Sequence, residues 1–454
     1  MIRRRDFLRA GAGATAASLL GGAGLAALGL APGAARAGDY RALVVLFLTG
    51  GNDGHNALVP TDAAYNDYQA ARANLALPKA SLVALPGSAA GHTFGLHPAL
   101  APLAPLYAQG RLAWIANAGP LVRPATAEQV RNSAVDVPAF LGSHSDQVAI
   151  QQGWTVQDDQ SGWGGRGFER LPDSLRNPLG AVTMSNNRTL VQGRSSAPAF
   201  LGGFSIPPDW GMLRLDNMAS AESQAIQRFS RQQYGQTYAN EYARSLQLSL
   251  DDSLLFTQAW LRAKEPAANF GSSDLGTRLR MLASLLPVLK ADGYRRQVFL
   301  VEWGAFDTHA NQRGAASETQ DAQLVHVGQA VAGFDEAMRA AGLGDDVAML
   351  MMSDFGRTVR PGSGGGSEHA WGNHWFALGG AIRGGTVHGT FPSYALGGPD
   401  DGDSASNGRH VPTIATDQVG ATLMQWLGLP PGEFHAVFPD LVNFGQKTIP
   451  LLRS

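Results

Sequence analysis

Arg41 to Thr49 reads Arg-Ala-Leu-Val-Val-Leu-Phe-Leu-Thr and stops at the pair Gly50-Gly51. A half-exposed strand alternates apolar and polar residues, so an unbroken run points to a strand covered on both faces. Leu112–Ala116, Val298–Glu302 and Val347–Met352 repeat the pattern. Between the last two, Leu324, Val327, Val331, Phe334 and Met338 recur at intervals of three and four, the stripe of an amphipathic helix. Gly342 supplies its stop. His97-Pro98 opens a short helical pattern carrying Leu100, Leu103 and Leu106. Thr416 to Leu427 reads as a further helix, capped by Thr416 or Asp417. Strands alternating with helices predict an α/β chain, three layers deep (α/β/α), around a mainly parallel sheet.

The stretch from about 155 to 275 breaks this rhythm. It begins rich in Gly, Pro and Ser. From Met218 to Lys264 it is polar, free of proline and helical in composition, with Asn217 as a cap and Gly235 as the one clear interruption. It reads as a loop-rich and helical insertion within a domain spanning 38–454. No internal repeat is visible. Gly362 to Ser367 reads as a short flexible loop.

The first 37 residues read as an export leader. Arg4 and Arg5 are followed by Phe7-Leu8, then by 21 uncharged residues from Ala10 to Leu30, then by Ala35-Arg36-Ala37. A charged start, an apolar middle and a small-x-small cleavage site are the parts of a signal peptide. The paired arginines resemble the twin-arginine signal of bacterial export. The same uncharged run is long enough to serve as a membrane anchor, but its Ala and Gly supply little transfer energy. Cleavage after Ala37 would leave a chain near charge −6, since the whole carries −2 and the leader holds five Arg and one Asp. The expected product is periplasmic or extracellular, has no stable membrane span and meets the export machinery on its way out. Nothing basic enough for nucleic acid is present. There are no cysteines, so disulfides, thiolate metal sites and cysteine nucleophiles are excluded. Any metal must be held by His, Asp, Glu or Asn.

Ligands of an open α/β sheet bind past the carboxyl ends of its strands, and polar residues gather there. The first strand leads into Asn52-Asp53-Gly54-His55-Asn56, the third into Phe306-Asp307-Thr308-His309, the fourth into Ser353-Asp354-Phe355-Gly356-Arg357. Glu368-His369 follows the glycine loop. Singly, each has a plain reading: Asp53 as a turn residue or helix cap, Asp307 and His309 as loop braces, Arg357 as the partner of Asp354. Together, three strand-end carboxylates would need a cation. Asp with neutral His suits zinc or manganese, while calcium, also open, prefers oxygen throughout.

The ordered stretches LTGGNDGHNALVP (48–60), GLHPALAPLAPLY (95–107), GRLAWIANAG (110–119), SHSDQ (143–147), GAFDTHANQ (304–312), SDFGRTVR (353–360) and GNHWFALGGAIRGGTVHGTFP (372–392) resemble those of an exported bacterial family, the domain-of-unknown-function 1501 family. That family looks like a remote branch of the alkaline phosphatase and sulfatase superfamily. The resemblance implies an alkaline-phosphatase-like fold and a metal site of Asp53, Asp307, His309, Asp354 and His369. It departs from the wider pattern at Phe355, where a ligand histidine would follow Asp354, and at Glu368-His369-Ala370, where the family has Asp-His-Gly. No nucleophile matches clearly. Ser143 matches the serine of the Ser-His motif, either as a helix cap or as a catalytic residue at an anion-binding helix end. Arg357 is the expected clamp on an ester anion.

Two readings follow. One is an exported metal-dependent hydrolase of phosphate or sulfate esters, acting on a small or polymeric anionic substrate. The other is a non-catalytic or degenerate exported binding protein on the same fold.

Overall fold

The apolar runs do become strands of one sheet. The structure, a computed structural model, describes residues 40–153, 159–202, 209–210, 213–214 and 220–453. The leader, 1–37, and its expected cleavage site lie outside the described residues, as does Asn217. Among the described residues, nine strands make the main sheet: β1 (Arg41–Leu48), β2 (Leu112–Gly119), β3 (Ala181–Thr183), β4 (Ala199–Phe200), β5 (Arg296–Trp303), β6 (Val347–Ser353), β7 (Asn373–Leu378), β8 (Val387–His388) and β9 (Ile414–Ala415). Their order is β8-β2-β7-β6-β1-β5-β3-β4, with β9 also beside β2. β7 is antiparallel to both neighbours and every other pairing is parallel.

β1 sits at the centre, with Leu43 opposite Val298 on one side and Ala348 on the other. A strand so placed is covered on both faces, which is why its sequence does not alternate. Val44, Leu46 and Leu48 join one core, with Phe299, Val301 and the helices Asp274–Ala291 and Gln320–Ala340. Leu43, Val45 and Phe47 join the other, with Leu300, Leu350, Trp163 and the helix Thr416–Leu427. Those are the three layers expected. Fully burying each of these side chains contributes roughly 1.5–3 kcal/mol, so β1 is the natural organiser of the sheet.

Some helix ends match their chemistry and others do not. Gln320–Ala340 stops where Gly342 takes φ 68°, letting Leu343 N–H reach the Met338 carbonyl at 2.8 Å. The polar stretch after 218 forms two helices, Ala221–Arg231 and Thr237–Trp260, separated around Gly235 and begun by Ser220, whose hydroxyl accepts from Ser223 N–H. Thr416–Leu427 departs from its expected cap. Its cap position is Ala415, whose N–H donates to Gln418 Oε1 at 3.0 Å, and Thr416 Oγ1 instead donates to Gln151 at 2.6 Å. Neither Thr416 nor Asp417 caps it.

Candidate metal centre

β6, β1 and β5 are neighbours and parallel, so the loops leaving them emerge at one edge. β7 runs the other way, so its amino end returns to that edge and brings His369 with it. Gly50 permits the closest approach: it has φ +107°, and a Cβ there would lie 2.5 Å from Asp307 N. Any side chain would push the β1 and β5 exit loops apart. The segment Gly362 to Ser367, expected to be flexible, is instead tied to the β5 exit loop. Asn311 and Gln312 N–H donate to the Gly364 and Gly365 carbonyls, each at 3.1 Å, and Ser367 N–H donates to the Thr308 carbonyl at 3.1 Å.

At this edge one carboxylate meets three imidazoles. His144 Nε2 lies 3.3 Å from Asp307 Oδ2. His309 Nε2 and His369 Nε2 each lie 3.1 Å from Asp307 Oδ1 and 2.9 Å from one another. Each ring is held from behind. His144 Nδ1 is 2.7 Å from Asp354 Oδ2, His369 Nδ1 is 2.6 Å from the Gly142 carbonyl, and His309 Nδ1 is 2.6 Å from Glu368 Oε2. A carbonyl or carboxylate on Nδ1 fixes the proton there and leaves the Nε2 lone pair free. That is the outer-shell arrangement that orients metal-ligating histidines. His144 Nε2 is buried and has no hydrogen-bond partner. The ligand atoms of His144, Asp307 and His369 all lie within 4.8 Å of one another. The site is therefore able to hold a metal ion.

Charge supports the same arrangement. Burial opposes ionisation of Asp307, but the hydrogen bond from Arg357 and the Arg357 charge hold its carboxyl well below the usual carboxylate range. Burial pushes His369 down, which favours the neutral, ligating form. His144 is pushed up, chiefly by its hydrogen bond to Asp354.

The expected residues divide into two groups. Asp307, His309 and His369 converge, and Asp354 stands behind His144 rather than beside the cluster. Its Oδ2 also accepts from Gly50 N–H at 3.1 Å. Asp53 is elsewhere. Fully buried, it caps the turn Gly54–Ala57 through His55 N–H, pairs with Arg72 and accepts from Gln312 Nε2 at 2.5 Å. Its carboxylate is saturated, so it takes no part in the cluster. Arg357 is likewise not placed as an anion clamp. Its buried guanidinium donates to the carbonyls of Gly51, Ser367, Gly50 and Phe306 and reaches the site only through Asp307 Oδ1 at 2.6 Å. Ser143 begins the helix His144–Gln151 without a side-chain cap bond, its hydroxyl turned to Asp146. Phe355 packs its ring 4.5 Å from His369 and 4.8 Å from His144, centroid to centroid. It walls one side of the cluster.

The residue missed in the sequence is His144. The Ser-His pair was visible, but its serine is the bystander. Beside the cluster lies a cavity of about 440 Å³, lined by His309, Glu368, His369, Trp371, Asp403 and Arg409 among others. Asp354→Asn is expected to weaken metal binding about 10–100-fold, the usual cost of losing a partner that orients a ligating histidine. A chelator-competition titration checks this, and unchanged affinity would remove Asp354 from the site.

The family described as Protein of unknown function (DUF1501) matches residues 40–415. The chain belongs to that family. This member matches no curated protein. Among solved structures it is similar to Ps i-CgsB in complex with k-i-k-neocarrahexaose, at 8% identity and TM-score 0.33, covering 89% of this chain and 76% of that one. It is similar to the C-terminal periplasmic domain of EcEptC from Escherichia coli in complex with Zn, at 11% identity and TM-score 0.35, covering 88% and 85%. It is also similar to the PsFucS1 sulfatase from Pseudoalteromonas sp., at 12% identity and TM-score 0.33, covering 85% and 72%. Among the described residues, no helix of this DUF1501 chain is long and apolar enough to cross a membrane.

Proposed function

We propose that this DUF1501 protein is an exported metal-dependent hydrolase of phosphate or sulfate esters, with one ion at His144, Asp307 and His369. The observation that carries the reading is the set of three imidazoles, each anchored at Nδ1, whose Nε2 atoms surround a single ionised carboxylate. Nitrogen donors with one carboxylate suit zinc first and manganese second, and calcium fits poorly because imidazoles replace the oxygens it prefers. Such an ion, when bound, supplies charge neutralisation of ester oxygens and acidifies a water molecule.

The chain's own residues do the rest. Asp354 and the Gly142 carbonyl hold the two ligating rings, and Arg357 holds Asp307 in place. His309, backed by Glu368, stands at the cavity wall, where its bare Nε2 can take a proton from the attacking water and then return it to the departing alcohol oxygen. Arg409 lines the same cavity and is the guanidinium placed to meet an anionic substrate, a role Arg357 cannot fill. Export rests on the leader, and periplasmic action on its cleavage.

A specific observation favours the second reading, a metal-dependent binding protein: among the described residues no hydroxyl group is hydrogen-bonded to Asp307, and Ser143 is turned away to Asp146. One experiment separates them. Protein exported by its own leader is analysed for metal and assayed on aryl phosphates and aryl sulfates. Hydrolysis abolished by a chelator and restored by zinc is the expected result. Full metal content with no turnover of either ester at any loading would replace the hydrolase with the binding protein.

A further inference from the structure

Asp307, His309 and His369 stand on the loops beside β5 and β7, whereas His144 is brought to the cluster by a helix, His144–Gln151. The inward face of that helix is polar. Gln147 and Gln151 are fully buried, and so is Gln152 at its end. Positions 144, 147 and 151 recur at three and four, so they share one face. Glutamine is seldom buried, and an amide taken out of water costs stability unless it is hydrogen-bonded.

Each buried amide ties the helix to a different part of the fold. Gln147 Nε2 donates to the Ala139 and Phe140 carbonyls at 3.2 and 3.4 Å. Gln152 Oε1 accepts from Leu190 N–H at 2.9 Å and from Asn187 Nδ2 at 3.2 Å. Gln151 Nε2 donates to the Asp354 main-chain carbonyl at 3.2 Å, and its Oε1 accepts from Thr416 Oγ1 at 2.6 Å. The partner of Gln151 is the informative one. Asp354 is also the residue whose Oδ2 lies 2.7 Å from His144 Nδ1. The helix therefore grips Asp354 twice, by the carboxylate from its first residue and by the carbonyl from its last. Apolar packing at 151 can fill the same space, but such packing loses uniqueness of position before it loses stability. A hydrogen-bonded group in a core fixes register instead. The register fixed here is the height of His144. A slide of the helix would part Nδ1 from Asp354 and Nε2 from Asp307 together.

We infer that Gln151 is a positioning residue of the metal centre. It locks the helix to the Asp354 carbonyl and to Thr416, so that His144 meets Asp354 with one nitrogen and the ion with the other. The inference rests on the metal reading above and needs no hydrolytic activity.

The test uses the full chain and two readouts. In metal-free protein, proton NMR reads the His144 Nδ1–H bond to Asp354 as a downfield resonance, assigned by its loss in His144→Ala. Chelator competition reads zinc affinity. Gln151→Met keeps an unbranched side chain and removes both hydrogen bonds. It is expected to lose the resonance and to bind zinc about tenfold more weakly, the lower end of the cost of losing an orienting partner. A role in stability alone would lower the unfolding midpoint and leave both readouts as in wild type, and that result overturns the inference. If Gln151→Met does not fold, Thr416→Val decides, since it removes only the hydroxyl that holds Gln151 Oε1. A smaller change of the same sign is expected there, and an unchanged resonance and affinity overturn the inference. The resonance also separates the two readings. A wild-type chain that binds no zinc ends the metal reading, while the fate of the resonance in Gln151→Met still decides whether Gln151 places His144.

Discussion

Asp307→Asn is expected to abolish metal binding at the surface cluster and, with it, ester hydrolysis. Asp307 is the single anionic donor of its group, and both of its oxygens face imidazole nitrogens. Asparagine keeps the shape and still accepts from Arg357, so the loop should hold. What it loses is the charge that offsets a divalent cation and one lone-pair-bearing oxygen. The fall in affinity should exceed the 10–100-fold that a lost orienting partner costs. Stability should change little, because the carboxylate is half-exposed and the buried Arg357 retains the carbonyls of Gly51, Ser367 and Phe306. Metal analysis after dialysis, beside a denaturation curve, reads both effects. A folded Asp307→Asn chain with full metal and full turnover would remove the cluster as the centre of function.

The sheet was legible because buried parallel strands write themselves into sequence as unbroken apolar runs. β1, β2, β5 and β6 were all visible, and the edge where Asp307 and Asp354 emerge followed from their being parallel. What could not be read was which side chains would meet across long separations. His144 belongs to a helix whose only announcement was the Ser-His pair. It reaches Asp354 across 210 positions, and nothing local says which of the two residues points inward. Asp53 failed for the opposite reason. It sits where a strand-end ligand should sit, but Arg72, from the helix Ala64–Arg72, arrives first. Arg357 was expected to clamp an ester anion. The tight turns at Gly50 and Gly51 present carbonyls that its guanidinium takes instead. Local chemistry chose the right kinds of residue at the right edge, and competition among neighbours settled their roles.

That competition yields the second large effect. Asp53 and Arg72 form an ion pair in which neither side chain has any exposure. Removing one partner of such a pair typically costs about 3–5 kcal/mol, because the survivor keeps its desolvation penalty without its counter-charge. Asp53→Ala should fall in this range. It strands the Arg72 guanidinium with the Thr358 and Val359 carbonyls alone, and it removes the acceptor used by Gln312 Nε2 and His55 N–H. Arg72→Met should cost a similar amount by leaving the carboxylate to Gln312 and the backbone. Asp53→Ala/Arg72→Met should recover part of the loss, since no charge then remains buried, but not all of it, because Gln312 and His55 stay unsatisfied. Urea denaturation of the four proteins gives the coupling directly. The folded fraction of Asp53→Ala should bind metal at the surface cluster as the parent does. A variant that kept its stability and lost its metal would return Asp53 to the metal centre, and would mean that Arg72 gives way when the ion arrives.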